Sequence, residues 1–209
     1  FIAFHDELKH IKVNVDRKVV LQAFEVPSPQ DIVNLLDENR IASVEDMRAL
    51  LCEMFTDLQS WLSGGETDLL NVYYDNGKRV NENYARNRIV DFLKPLLNPL
   101  DINVIIERHM ANSNRCDFTA EVSIDGVQKT LVIEVKGQWH AELYNAASKQ
   151  LYERYSIHPN AAEQGIYLVL WFGCDETVAG KKMHGIMTPN ELKHKIISMM
   201  PQELLNRVD

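Results

Sequence analysis

The run Gly165 to Phe172, Gly-Ile-Tyr-Leu-Val-Leu-Trp-Phe, is apolar at successive positions rather than at alternate ones. A strand with one wet face alternates with period two, so a run without alternation reads as a strand covered on both sides. Thr130-Leu131-Val132-Ile133 behaves in the same way before charge appears at Glu134. Strands of this kind need helices on both faces, which directs the chain to the α/β class with a central sheet between helical layers.

The flanking sequence supplies those helices. From Glu82 to Leu97, Ile89, Phe92, Leu93 and Leu96 fall on one face, and Ile102 to Ile106 then reads as a strand. Cys116 to Ile124 and Lys129 to Lys136 read as the arms of an antiparallel hairpin, because Asp125-Gly126 favours a two-residue turn. Gly137 breaks the second arm. Residues 139–155 carry Leu143, Ala146, Ala147, Gln150 and Leu151 on neighbouring helical turns, ahead of the apolar strand. The resulting order is α-β-β-β-α-β. Thr188-Pro189-Asn190-Glu191 is a capping box that starts a last helix through Met200.

Upstream, the pattern is mainly helical. Ser28-Pro29-Gln30-Asp31 opens a helix that ends near Asn39, and Ser43-Val44-Glu45-Asp46 opens a longer one closed by Gly64-Gly65. Ile11, Val13 and Val15 alternate and predict a strand. Residues 1–78 hold 7 Lys and Arg against 14 Asp and Glu, whereas 79–209 hold 15 against 16 and five of the seven histidines. The expected division is therefore an N-terminal mainly helical region, 1–78, acting as linker or docking element, and a second domain, 79–209. Of the two, only the second could approach a polyphosphate, since nucleic-acid affinity rests on cationic side chains.

Composition removes other classes. At 45% hydrophobic and 25% charged residues the chain is of ordinary globular make-up. Cys52, Cys116 and Cys174 are odd in number and lack paired spacing, which excludes a disulfide framework and a zinc cluster and implies a reducing compartment. His109, His140, His158, His184 and His194 show no ligand spacing. The absence of a long apolar run or signal peptide predicts a cytoplasmic location with no membrane contact. A start at Phe1 rather than methionine reads as a piece cut from something longer, with partner domains missing.

The chemistry gathers where the hairpin's second arm ends. Glu134 and Lys136 lie on one side of the strand, and antiparallel pairing brings Asp117 opposite Glu134 or its neighbours. Hard divalent cations take one or two carboxylates and leave other positions to water and phosphate, so Asp117 and Glu134 suit Mg²⁺ or Mn²⁺. An ammonium two residues on can hold a water and offset charge growing on phosphorus. Lys136 supplies it.

Asp117, the sixteen-residue interval, Glu134-Val135-Lys136 and the element order resemble the PD-(D/E)xK nuclease superfamily, whose members share the restriction-endonuclease-like fold. The resemblance covers roughly residues 80–175. It implies Asp117, Glu134, Lys136 and Gln150 as catalytic residues, and Asp117, Glu134, Val135 and Glu82 as the metal set. Gln150 departs from the Gln-x-x-x-Tyr spacing, since Arg154 stands where the aromatic belongs, and Cys116 replaces the proline before the aspartate. The implied activity is Mg²⁺-dependent endonucleolytic hydrolysis of DNA, as the cleavage part of a restriction, repair or antiphage defence protein. A homodimer or larger assembly would address both strands. The competing reading is a nucleic-acid-binding or assembly module with the same fold and no cleavage. Arg86, Arg88, Arg108, Arg115, Lys149 and Arg154 flank the site in sequence as candidate phosphate contacts.

Overall fold

The computed structural model describes residues 41–64, 68–108, 116–156 (154 and 155 by backbone alone) and 159–209, together with Lys12, Val15 and Lys18. The chain falls into two compact units, Phe1–Arg40 and Ile41–Asp209. In the first, Lys12, Val15 and Lys18 are helical and exposed, so the strand expected around Val15 does not form. Three alternating residues are too few to distinguish a strand from a turn of helix. Ile11, Val13 and the helix expected over 28–39 lie outside the described residues.

The second unit is mixed α/β. Its first helix, α1 (Val44–Gly64), is opened by Ser43, whose hydroxyl accepts from Asp46 N at 3.0 Å, while the Asp46 carboxylate reaches back to Ala42 N. A small hairpin follows, β1 (Tyr74–Asp75) and β2 (Lys78–Arg79), turning through Asn76 and Gly77 with φ of 49° and 73°. Gly, and after it Asn and Asp, accept such angles most readily, so this Asn-Gly pair is a local signal for the turn. Helix α2 (Glu82–Leu97) is capped by Asn81, which accepts from Tyr84 N at 2.8 Å.

The main sheet then forms from β3 (Asn103–Ile106), β4 (Phe118–Ile124), β5 (Val127–Gly137) and β6 (Gly165–Leu170), in that spatial order. The first two pairings are antiparallel and β5–β6 is parallel. Asp125 and Gly126, both at positive φ, make the β4–β5 turn and set Phe118 opposite Ile133. Helix α3 (Pro189–Met199) follows, with the Thr188 hydroxyl accepting from Glu191 N, and a 3-10 turn at Gln202–Leu204 comes after it.

Alternation along β4 and β5 divides the sheet's two faces. Phe118, Ala120, Leu131, Ile133 and Val135 are buried with Met47 and Leu51 of α1 and Ala85, Ile89 and Leu93 of α2 in one apolar core. The helix at 44–64 thus packs into the sheet-bearing unit. The opposite face carries Thr119, Glu121, Thr130, Glu134 and Lys136, all buried, beside a small cluster of Cys116, Val132 and Leu151.

The helix expected over 139–155 forms only in its second half. Residues 138–145 run through turns, and Ala147–Ser156 is π-helical. The cause lies at Gln138, fully buried, whose side-chain amide donates to Gly173 O at 2.9 Å and accepts from Phe172 N at 2.5 Å. That clamp holds the chain against the end of β6 and delays the helix. Among the described residues, no helix is long and apolar enough to cross a membrane.

Because α1 contributes fully buried side chains to the sheet's core, Leu51→Ala should cost about 2–5 kcal/mol of stability. Denaturant melts followed by a β-sheet signal should show one transition moved to lower midpoint. A separate early transition with the sheet signal unmoved would mean that α1 is an appendage.

Candidate active site

Four side chains meet where β5 ends. Continuing the β4–β5 register one step places Asp117 opposite Glu134, and the Asp117 carboxylate accepts from Val135 N at 2.8 Å. Glu82, in the first turn of α2, accepts from Gly137 N at 2.7 Å. The backbone of β5 therefore holds both outer carboxylates. Between them, the Lys136 ammonium stands 2.6 Å from Glu134 Oε1 and 3.9 Å from both Asp117 Oδ2 and Glu82 Oε1. It also donates to Val135 O at 3.3 Å. The strand's period of two brings Glu134 and Lys136 together, as the sequence predicts.

Burial and crowding set the charge states. The Glu134 side chain is only 5% exposed. Loss of water and the neighbouring Asp117 charge, opposed by Lys136 and reinforced by Glu82, push its pKa up to about 7. For Lys136 burial works to lower the pKa, but the Glu134 charge and hydrogen bond, with Asp117 and Glu82 behind them, win and raise it. Lys136 is thus firmly a cation, while Glu134 titrates near neutrality. Its second oxygen, Oε2, is buried with no hydrogen-bond partner among the described residues. Tyr167, pushed upward by burial and by the Glu134 charge, keeps its proton and donates to Leu143 O at 2.7 Å.

Arg86, a candidate phosphate contact by its place in the sequence, is turned inward. It sits nearly buried on α2, its guanidinium 3.2 Å from Glu107 and 3.5 Å from Asp117 Oδ1. Far from awaiting phosphate, it fixes the back of the Asp117 carboxylate. Arg108 pairs with Glu121, and the exposed Arg88 lies over the Tyr84 ring and pairs with Asp91 at 3.7 Å. Gln150 lies on the π-helical segment and makes no hydrogen bond to the cluster. His184 is bound into its own loop through Glu176 O and Ile186 N. His109, Arg115 and His158 lie outside the described residues, as does the Arg154 side chain.

Among the described residues no three His, Cys, Asp or Glu side chains form a ready metal cage, because the Lys136 ammonium stands in their midst. The donor set nevertheless suits a hard cation: three carboxylates around one ammonium, with the orphaned Oε2 of Glu134 facing no compensating donor.

The chain belongs to the family described as "Domain of unknown function (DUF8371)", which spans residues 51–174. That span runs from within α1 to just beyond β6 and contains the whole carboxylate–lysine cluster. No curated protein and no solved structure matches the chain.

A raised pKa on Glu134 gives stability a definite pH dependence. The folded state holds the proton more tightly than the unfolded chain, so the contribution is complete below the ordinary value of 4.5 and is lost as pH rises through about 7. Without divalent ions, the thermal midpoint should fall across that window, and Glu134→Gln should flatten the fall. Equal slopes in both proteins would show that Glu134 is not the titrating group.

Proposed function

We propose that the chain is a metal-dependent endonuclease of the PD-(D/E)xK kind, hydrolysing phosphodiester bonds of DNA. The observation that carries this reading is the convergence of Asp117, Glu134 and Glu82 on the Lys136 ammonium at the end of one buried strand. Support also comes from the order α2, β3, β4, β5, π-helical segment, β6, and from the mixed sheet with its parallel β5–β6 pair, which suit a restriction-endonuclease-like core.

Asp117, Glu134, Glu82 and the carbonyl of Val135 are the groups that would hold Mg²⁺ or Mn²⁺. Such a cation supplies Lewis-acid stabilisation of the phosphate and a more acidic water. Val135 N and Gly137 N orient Asp117 and Glu82, and Arg86 restrains the far oxygen of Asp117. Lys136 Nζ, two of whose protons go to Glu134 Oε1 and Val135 O, gives the third to the attacking water, and its charge offsets the negative charge that grows on the phosphate. In the overall step water adds to phosphorus, the bond to the leaving sugar oxygen breaks, and the water's proton passes to solvent while solvent protonates the leaving group. Double-strand cleavage calls for two copies facing opposite strands, most simply a two-fold dimer.

Glu134 must be ionised to act as a ligand, so binding of Mn²⁺ should release close to one proton and tighten by about tenfold per pH unit below pH 7. Calorimetry in two buffers of different ionisation enthalpy reads the proton directly, and a buffer-independent heat would exclude Glu134 from the ligand set.

The function itself is tested with supercoiled and linear DNA, with and without Mg²⁺ or Mn²⁺. Cleavage should need the cation and vanish in Asp117→Asn. Lys136→Ala should slow single-turnover cleavage by about 10²–10³-fold while DNA binding is kept. Cation-independent cutting, or a wild-type rate for Lys136→Ala, would overturn the reading.

A further inference from the structure

Beside the carboxylate cluster a cleft opens between the β1–β2 hairpin and the segment after β6, lined by Tyr74, Lys78, Arg79, Phe172, Asp175 and Glu176. It is joined to the cluster by a continuous stack. Gly137, whose N–H holds Glu82, lies against the Trp139 indole, so close that a β-carbon there would overlap the ring's atoms. The Arg79 guanidinium lies 3.4 Å above the centroid of the same indole. On the cleft side, the Phe172 ring is centred 5.7 Å from Trp139 and 5.5 Å from Tyr74, meeting the latter edge to face. Tyr74 remains 37% exposed.

The cleft's charges decide what it can accept. Arg79 is paired with Glu176, and Lys78 is matched in number by Asp175. Two cations against two carboxylates give a phosphate no net attraction. An uncharged planar ring meets no such obstacle: the exposed Tyr74 ring, backed by Phe172, offers aromatic surface for one of its faces, and the Asp175 carboxylate offers an acceptor for an amino edge.

We infer that this cleft takes an unpaired nucleobase of the strand whose phosphate lies at the carboxylate cluster. The inference rests on the nuclease reading for its substrate and goes further, because a base can stack there only when it is out of a duplex. It names single-stranded or locally unpaired DNA as the class of substrate. Stacking on an aromatic side chain is sequence-tolerant and strengthens binding by about five- to a hundredfold per base.

The test is binding, in the absence of divalent ions, of a dye-labelled single strand of about a dozen nucleotides and of the same strand made fully abasic. The base-bearing strand should bind the wild type at least about fivefold more tightly. Tyr74→Ala should remove that advantage and leave abasic binding unchanged, while Tyr74→Phe, which keeps the ring, should restore it. Unchanged abasic binding also certifies that Tyr74→Ala is folded. Equal affinity for the two strands, or a Tyr74→Ala loss shared by both, would overturn the inference. Adding Mn²⁺ to the same mixtures separates it from the nuclease reading. Base-dependent binding without cutting would sink the nuclease reading alone, whereas cutting without base dependence would sink the cleft.

Discussion

A carboxylate and an ammonium two residues apart on a buried strand set the conditions for everything around them. β5 is hydrogen-bonded along both edges, to β4 and to β6, so it cannot twist Glu134 or Lys136 out toward water. Burying two ions is expensive, and their attraction offsets it only when the remaining lone pairs and protons are also met. Lys136 is met three times over, by Glu134, Asp117 and Glu82, whereas one oxygen of Glu134 is met by nothing described. The surplus is negative, and a cation is the simplest addition that would balance it. The β5 amides at Val135 and Gly137 hold the two outer carboxylates in place, so a single strand organises the whole cluster.

How much of this was legible depended on whether a feature is local. Period two alone puts Glu134 beside Lys136, and Asp125-Gly126 alone fixes a register that carries Asp117 opposite Glu134. The capping residues Ser43 and Thr188 mark their helices because a cap acts within one turn. Arg86 was not legible. On α2 it reads as a surface arginine, and only Glu107 and Asp117, 21 and 31 residues away, draw it inward. The late start of the helix after β5 was hidden for the same reason, since Gln138 is clamped by Phe172 and Gly173, which lie 34 and 35 residues further on. The charge boundary at residue 78 tracks composition, whereas α1 joins the second unit through apolar side chains that net charge does not register.

An acidic chain of net charge −8 is an unexpected partner for a polyanion. On the proposed reading the difficulty resolves by separating two tasks that a basic protein would merge. At the carboxylate cluster a cation would bring the phosphate in, so attraction there would grow on loading. In the cleft, aromatic surface and balanced charge would hold a base by contacts that need no net positive field. Gly137 and Trp139 make these two places neighbours: the glycine's N–H holds Glu82 on one side, and the indole over its Cα supports Arg79 and Phe172 on the other. Affinity drawn from stacking should also depend less on salt than affinity drawn from lysines, because fewer counterions are released. The salt dependence of strand binding is therefore the property in which this division of labour would be most visible.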